Sequence, residues 1–287
     1  MVVGAGGFVG RALTQQLAKQ GQRLTLLTHE PQFKVAGARV LHGDIANATL
    51  SRKALRGVDV VYYVAGYKRN IEAHTRQPYD FFAGNVEPLL RFLDILRSSK
   101  VKTFVYLSST LVTYHTLDNV GDDGYVLGKY ANELAVQAFA QQVKKMKVTI
   151  VRSTAIYGPG DNFQPSSANF IPAIIQRVDA SRETLTVWGR GVRKLQFIYI
   201  DDLVANLLAA ARSSQALLYA VGNAEAKSVL QIVRLLVDLS GKKLTIVHDL
   251  SKPDKTTKLL KFNNAVAPRV NLRKGLQATL DYYHTHV

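Results

Sequence analysis

The sequence predicts an α/β fold in which a doubly wound parallel sheet is followed by a smaller C-terminal lobe. Short β-branched runs alternate with helical patterns up to about residue 153, which is the rhythm of βαβ units. A glycine-rich turn also separates the first strand from the first helix. We expect 1–157 to form the first domain, completed by about 184–222. The remainder, mainly 158–287, is expected to form the smaller lobe.

The first strand has unusually few residues before the glycine-rich turn. Only three residues precede Gly4, so we expect either a short first strand or further native residues before Met1. Apolar residues recur at helical spacing after Val9, and Gly21 ends this helix. The strand candidates are Met1–Val3, Leu24–Leu27, Val40–His42, Val58–Val64, Thr103–Leu107 and Val148–Val151. Later elements expected to rejoin the sheet are strands at Leu185–Trp188 and Gln196–Ile200 and a helix over Asp202–Arg212.

The composition is that of a soluble globular protein, with 47% hydrophobic and 20% charged residues. No apolar run reaches the roughly 18 residues that span a bilayer. We therefore expect a cytoplasmic protein with no membrane span. Cysteine is absent, which excludes disulfides and thiol catalysis. The scattered histidines predict no metal site.

The formal net charge of +16 is the one unusual feature of the composition. Lysine and arginine are spread along the chain, with a mild excess after Gly241. No aromatic residues are interleaved with them in a basic motif. A solvated basic face is therefore favoured over a nucleic-acid partner.

The glycine-rich turn predicts NAD(P) binding. It reads Gly-Ala-Gly-Gly-Phe-Val-Gly from Gly4 to Gly10, directly after a strand and at the start of a helix. Glycines at such positions let the backbone approach a pyrophosphate, and the first N–H groups of the helix face it. The contacting residues are predicted to be Gly4, Gly7, Phe8, Val9 and Gly10.

The end of the second strand predicts a preference for NADP. Dehydrogenases that use NAD usually carry a carboxylate there, which binds the ribose 2′-hydroxyl. Here the position reads Thr28-His29, and Glu30 follows one step later.

The candidate reacting groups are hydroxyls at the end of one strand and a phenol and an amine on one helix. Tyr125 and Lys129 are four residues apart, so both lie on one helix face, where an ammonium can lower the pKa of the phenol. The strand Thr103–Leu107 ends in Ser108-Ser109-Thr110. A hydroxyl at this edge can bind the oxygen that a tyrosine protonates. Together these groups predict hydride transfer beside an alcohol or ketone.

In these motifs the chain resembles the extended short-chain dehydrogenase/reductase family, in particular its nucleotide-sugar epimerases and reductases. The resemblance covers nearly the whole chain. Besides the motifs above it rests on Gly43-Asp44-Ile45, Val64-Ala65-Gly66, Asn85-Val86, Val151-Arg152, Ile156 through Asp161, Val187-Trp188-Gly189 and Phe197 through Asp202. It implies a Rossmann-type domain and a C-terminal substrate-binding lobe.

The resemblance also implies roles for single residues. Thr110 and Tyr125 match the catalytic hydroxyl and the acid/base, and Lys129 would also bind the nicotinamide ribose. The further cofactor contacts that it implies are Thr28, His29, Asp44 and Ile45 toward the adenosine, Ala65 and Gly66 at the nicotinamide, and Val64, Asn85, Ser108 and Ile156. The substrate contacts are Ser109, Thr110, Asn169, Arg193 and Lys194.

Some positions depart from the nucleotide-sugar pattern. GDP-fucose synthases carry a cysteine at the Val112 position and a histidine at the Asn169 position, whereas sugar 4-epimerases have Asn169. The arginine usual at the Leu195 position is absent. Only 15 residue steps separate Thr110 from Tyr125, so the loop that shapes the sugar pocket is short.

We expect an NAD(P)-dependent epimerase or reductase of a nucleoside-diphosphate sugar. It would form a homodimer through helices near 80–97 and 125–145. The alternatives are an NADP-dependent reductase of a non-sugar ketone or aldehyde and a non-catalytic, cofactor-binding assembly subunit. Arg152 is expected to be an ion-pair partner, and Asp202 a helix cap.

Overall fold

A seven-stranded sheet forms the centre of the first compact unit. The computed structural model describes residues 1–69, 71–114, 123–165, 167–213, 217–252, 254 and 258–287. The strands of this sheet are β1 Val2–Val3, β2 Thr25–Thr28, β3 Arg39–His42, β4 Val60–Tyr63, β5 Thr103–Ser109, β6 Lys147–Ser153 and β10 Leu218–Val221. Their spatial order is β10-β6-β5-β4-β1-β2-β3, and β1 to β6 pair in parallel. This confirms the predicted doubly wound sheet.

The strand order locates the crevice in which such sheets bind ligands. The chain adds strands on one side of β1 up to β3 and then continues on the other side with β4. Ligands of open α/β sheets bind at this switch point, outside the carboxyl ends of the strands. The first strand has only two residues, as its short sequence predicts, and both are fully buried.

The helices of the chain are α1 Phe8–Lys19, α2 Ala48–Ala54, α3 Ile71–Arg76, α4 Pro78–Leu96, α5 Gly124–Gln142, α6 Phe170–Ala180, α7 Ile200–Arg212, α8 Val229–Ser240 and α9 Leu272–His286. A 3₁₀ turn, η1, covers Thr110–Tyr114. Apolar side chains from the sheet and from α4 and α5, among them Phe92, Phe104 and Val136, form a continuous buried core.

Helices α4 and α5 pack closely because two glycines of α5 face α4. A Cβ atom at Gly128 would lie 3.0 Å from the Cβ of Asn85, and one at Gly124 would overlap the backbone of Pro78. This close packing determines where the first turn of α5 lies relative to α4.

An ion pair joins α5 to β6. Both carboxylate oxygens of Glu133 accept hydrogen bonds from Arg152, at 2.5 to 2.9 Å, and Glu133 is almost completely buried. The prediction that Arg152 is a structural ion-pair partner is therefore confirmed. Removing one partner of a buried pair leaves a charge without compensation, which is strongly destabilising.

The second compact unit comprises 154–203 and 221–287, and the first comprises 1–153 and 204–220. The second unit contains two small sheets. Strands β11 Ala226–Ser228, β9 Lys194–Tyr199 and β7 Ala155–Tyr157 form one, and β12 Thr245–Asp249 and β8 Thr184–Trp188 form the other. Helix α8 begins with a capping box between Ser228 and Gln231, and Gly241 ends it at φ +71°.

The structure differs from the sequence-based expectation for 184–222. Strands β8 and β9 form at the predicted places but pair with β12, β7 and β11 instead of joining the large sheet. Only 204–220 belong to the first unit. Alternating apolar residues show that a segment is a strand, but they do not determine which partner completes its hydrogen bonds.

Asp202 also differs from its expected role. Helix α7 begins at Ile200, so Asp202 lies inside its first turn instead of preceding the helix. Its carboxylate accepts hydrogen bonds from the backbone N–H groups of Arg269 and Val270, at 2.9 and 3.1 Å. Asp202 thereby holds a distant segment of the second unit.

Among the described residues, no helix is long and apolar enough to cross a membrane.

Candidate active site

The glycine-rich turn forms a tight cradle between β1 and α1. Gly4 has φ +85°, and a Cβ there would lie 2.7 Å from the Cα of Ala65, which follows β4. A Cβ at Gly10 would overlap the carbonyl of Gly4. Gly7 is the N-cap of α1 and supplies no side-chain cap, so Phe8 and Val9 begin a helix whose first N–H groups face outward from the turn. This is the geometry of an anion site at a helix N-terminus.

A charged pair lies beside this cradle at the end of β2. Thr28 ends the strand, and its hydroxyl accepts a hydrogen bond from the N–H of Glu30 at 3.0 Å. The guanidinium of Arg11 binds the carboxylate of Glu30, donates to the carbonyl of Gly6 at 2.6 Å and stacks on Phe33. His29 is exposed at the same strand end.

The next strand ends carry the other residues predicted to contact the cofactor. Asp44 follows β3, is exposed and accepts a hydrogen bond from the N–H of Ala46, whereas Ile45 is buried. Val64 and Ala65 are half-buried after β4, and Gly66 is exposed. All of these positions are on the carboxyl side of the sheet.

Asn85 holds the segment that follows β4. Its side-chain oxygen accepts from the N–H of Tyr67 at 3.0 Å, and its Nδ2 donates to the carbonyls of Tyr67 and Phe81. The amide is therefore occupied by the protein backbone. A contact of Asn85 with the cofactor stays a prediction. Its hydrogen bonds hold the backbone of the segment that contains Gly66 and Tyr67.

Tyr125 lies in the first turn of α5, which Asp123 caps. The Asp123 carboxylate accepts hydrogen bonds from the N–H groups of Tyr125 and Val126, at 3.0 and 3.1 Å. One turn later, the buried Nζ of Lys129 donates to the carbonyl of Leu107 at 3.0 Å. It also lies 5.0 Å from the centre of the Tyr106 ring and 5.9 Å from that of Tyr125. The predicted pair therefore shares one helix face beside the end of β5.

Burial shifts the pKa values of both groups. It lowers the pKa of Lys129 from 10.5 to about 8, although the carboxylate of Glu133 acts in the opposite direction. Burial, together with the nearby Asp123 carboxylate, raises the pKa of Tyr125 above its ordinary value of 10.0. We expected the ammonium to lower the phenol pKa. Desolvation of the Tyr125 phenol, which raises its pKa, outweighs any such lowering by the ammonium.

Three hydroxyl residues lie where β5 ends and η1 begins. Ser108 is buried, and its Oγ has no hydrogen-bond partner among the described residues. Ser109 is half-buried and accepts from the N–H of Leu111 at 3.2 Å. Thr110 is buried at the start of η1. These are the positions predicted to contact substrate and nicotinamide.

The remaining predicted residues belong to the second unit. Ile156 is in β7, and Lys194 begins β9 directly after Arg193. Asn169 is the N-cap residue of α6, and its Nδ2 donates to Asp161 at 3.4 Å. Their substrate and cofactor contacts stay predictions.

Three residues beside this site have no role in the sequence-based predictions: Arg11, Lys68 and His74. Arg11 could have been predicted, because it directly follows the glycine motif. Lys68 and His74 pack on the Tyr125 ring, with Lys68 Nζ 5.7 Å from its centre. No local pattern indicates these two contacts, because they depend on how the segment after β4 and α3 pack against α5.

Comparison with known proteins places these motifs in a family. The model of the NAD dependent epimerase/dehydratase family matches residues 1–222, most of the chain. The chain belongs to this family. The chain is therefore an NAD(P)-dependent enzyme of the extended short-chain type.

Relatives of this epimerase/dehydratase-family chain cover it from end to end. It is 25% identical to the dTDP-4-dehydro-6-deoxy-D-allose reductase of Streptomyces bikiniensis, over 100% of this chain and 96% of the relative. It is 24% identical to the GDP-L-fucose synthase of Azorhizobium caulinodans, over 99% and 96%.

The family fold is also seen in solved structures. One is the UDP-glucuronic acid 4-epimerase of Bacillus cereus in complex with UDP-glucuronic acid and NAD. It superposes with a TM-score of 0.83 and 22% identity, covering 100% of this chain and 99% of the other.

Proposed function

We propose that the protein is an NAD(P)-dependent epimerase or reductase of a nucleoside-diphosphate sugar, acting at a hydroxyl or keto carbon of the sugar through Thr110, Tyr125 and Lys129. The observation that carries this proposal is the placement of Tyr125 and Lys129 on the first two turns of α5. Lys129 is bonded there to Leu107, one residue before the hydroxyl-bearing end of β5. A retired site has no physical need to keep this arrangement.

The first unit fits a bound dinucleotide. Side-chain atoms at Gly4 and Gly10 would fill the cradle, and the N-terminus of α1 carries no side-chain cap, which suits a pyrophosphate. The Oγ of Ser108, which has no hydrogen-bond partner in the described part of the chain, and the exposed Gly66 suit the nicotinamide end. When bound, NAD(P) accepts or donates the hydride.

The residues of the chain handle the proton. Because its pKa is raised, Tyr125 is a neutral phenol at neutral pH and can donate its proton to a keto oxygen. Lys129 is largely an ammonium at pH 7, so it can stabilise the phenolate that remains. Thr110 would orient the reacting oxygen through its hydroxyl. The same three groups serve reduction, oxidation and the two halves of an epimerisation.

A nucleotide sugar is the substrate class favoured by the relatives. A dTDP-sugar reductase and a GDP-sugar synthase match the full length of the chain. In the second unit, Asn169 is the N-cap residue of α6, and Lys194 begins β9 directly after Arg193. We propose that these three residues bind the diphosphate, with Ser109 and Thr110 contacting the sugar.

We further propose that NADP is preferred over NAD. Thr28, not a carboxylate, ends β2, and the charge of Glu30 is offset by Arg11. Arg11 and the exposed His29 place two basic side chains where a 2′-phosphate would lie.

We propose a homodimer that forms through α4 and α5. These helices match the predicted segments near 80–97 and 125–145. Leu90 on α4 and Leu134 on α5 are exposed for nearly half of their surfaces, and Tyr79 at the start of α4 is more exposed still. Apolar side chains of this kind are typical of a surface that a second copy covers.

We also propose that the protein acts in the cytoplasm, as the composition predicts. Fractionation of cells that produce the protein tests this location. Recovery of the protein in a secreted fraction would contradict it.

A ligand screen followed by a turnover assay tests the proposed function. Thermal unfolding is measured with NAD, NADP, UDP-sugars and GDP-sugars, because a ligand at 100 times its Kd stabilises the native state by about 2.7 kcal/mol. We expect a higher midpoint with a cofactor and with at least one nucleotide sugar. A protein that reduces only simple ketones is instead a non-sugar reductase. One that binds a cofactor and turns over nothing is an assembly subunit.

A further inference from the structure

The imidazole of His74 packs flat on the candidate acid/base. Its ring centre lies 5.2 Å from that of Tyr125, with 22° between the planes. The ring of Phe81 meets the imidazole edge-on, with 4.7 Å between the ring centres. His74 is only 2% exposed. The Tyr125 ring therefore has an aromatic neighbour supplied by α3, outside its own helix.

Both nitrogens of this imidazole face protein groups. The N–H of Arg69 donates to Nε2 at 2.9 Å, so Nε2 carries the lone pair. In the neutral ring the proton is then on Nδ1, which lies 3.3 Å from the Oδ1 of Asp123. The same carboxylate accepts the N–H of Tyr125. His74 thus connects the segment after β4 with the cap of α5.

Charged groups surround the stacked rings. Among the described residues, Asp123 and Tyr125 face His74, and the ammonium groups of Lys68 and Lys129 face the Tyr125 ring. Burial acts to raise the pKa of Asp123, but hydrogen bonds from His74 and from backbone N–H groups lower it below its usual value. The carboxylate that caps α5 therefore also anchors His74 beside the Tyr125 ring.

We propose that His74 is a positioning residue for the reaction: its imidazole, stacked on the Tyr125 ring, holds that ring in its reactive orientation. The inference rests on the acid/base role proposed for Tyr125. Misplacing a reacting group by about 1 Å can cost roughly a hundredfold in rate, so a lost stacking partner is measurable.

The first arm of the test is kinetic. His74→Ala is expected to lower kcat roughly ten- to a hundredfold while KM changes much less, since substrate contacts are retained. His74→Phe keeps a flat ring and is expected to recover most of kcat. The exposed His286 supplies the control variant, His286→Ala, which should match the parent.

The second arm observes Tyr125 without cofactor or turnover. The protein is produced with 3-fluorotyrosine, and the Tyr125 signal among the 13 tyrosines is identified by its loss in Tyr125→Phe. We expect this signal to shift in His74→Ala, because the ring current of the imidazole is lost. In His74→Phe, which keeps a ring beside Tyr125, the shift is expected to be smaller.

The two arms separate the possible failures. An unchanged Tyr125 signal in His74→Ala overturns the inference. Equal falls in kcat and rises in KM would also overturn it. If the fluorine signals behave as expected but the parent turns over no ligand, the contact is supported and the proposed function is what fails. Should His74→Ala not fold, the kcat of His74→Phe decides, because a fall of roughly a hundredfold in that variant overturns the inference.

Discussion

The ammonium of Lys129 donates a hydrogen bond to the carbonyl of Leu107 at 3.0 Å. This bond joins the second turn of α5 to the strand whose end carries Ser108, Ser109 and Thr110. It places a buried cation beside the phenol of Tyr125 in the first unit.

Tyr125→Phe should abolish turnover and leave cofactor affinity nearly unchanged, since only the titratable oxygen is removed. General acid/base catalysis typically contributes 10²- to 10⁴-fold, so a fall of about that size in kcat is expected. Steady-state kinetics and cofactor titration measure the two effects. Tyr130→Phe, on the same helix, is the matched control. Retention of more than about a tenth of parental kcat by Tyr125→Phe would contradict the assigned role.

Lys129 should make the free energy of unfolding depend on pH in the alkaline range. With a pKa of about 8 in the folded state and 10.5 in the unfolded chain, the unfolded chain binds more protons between these values. The free energy of unfolding therefore rises by about 3 kcal/mol as the pH increases across that interval. This gain in stability is lost as the pH falls through about 8.

Denaturant unfolding of the parent and of Lys129→Met from about pH 7 to pH 10.5 measures this effect. The difference between the two proteins isolates the contribution of Lys129 from that of other groups titrating there. Lys100→Met, at an exposed position, is the control. Parallel pH curves for the parent and Lys129→Met would show that the buried amine is not desolvated as the structure indicates.

The cofactor preference should depend on Arg11. We expect the parent to bind NADP more tightly than NAD, and Arg11→Ala to weaken NADP binding roughly ten- to a hundredfold, the cost of one charged hydrogen bond. Affinity for NAD should change less. Titration of both cofactors measures this, and Glu30→Gln is the comparison variant. If the parent prefers NAD and Glu30→Gln weakens that binding, the Glu30 carboxylate binds the ribose and the NADP proposal is wrong.

Asn169→Ala should raise the KM for a nucleotide sugar with a smaller change in kcat. A diphosphate contact is made equally in the ground state and the transition state, so its loss weakens binding more than turnover. The expected rise in KM is roughly ten- to a hundredfold. Substituting Arg193 and Lys194 together should have the same effect and flatten its salt dependence, since salt screens exposed charges. Variants that match the parent would remove the diphosphate assignment from these residues.

The dimer proposal predicts that Leu90→Glu combined with Leu134→Glu yields a monomer. Each substitution places a carboxylate on the exposed face of α4 or α5, where burial in an interface would be costly. Light scattering during gel filtration gives the mass of each species. Leu250→Glu, also at an exposed leucine, should leave the mass unchanged. A parent that is already monomeric contradicts the proposal directly.

Local patterns in the sequence were sufficient for the central elements of the fold and for the groups that define the candidate site. The apolar runs predicted β1 to β6, because strands buried on both faces need continuous apolar side chains. The spacing of Tyr125 and Lys129 predicted a shared helix face, and the position of the glycine turn predicted the cradle. Each of these features depends on residues close together in the chain.

Tertiary packing decided the features that depend on distant residues. Strands β8 and β9 have the alternation of any half-buried strand, so their pairing with β12, β7 and β11 was open until the second unit formed. The pKa of Tyr125 depends on how deeply α5 packs, and the stacking of His74 depends on α3 meeting α5. Desolvation and ring contacts are properties of assembled surfaces, which is why the sequence alone determined that Tyr125 and Lys129 share a helix face but not the environment of that face.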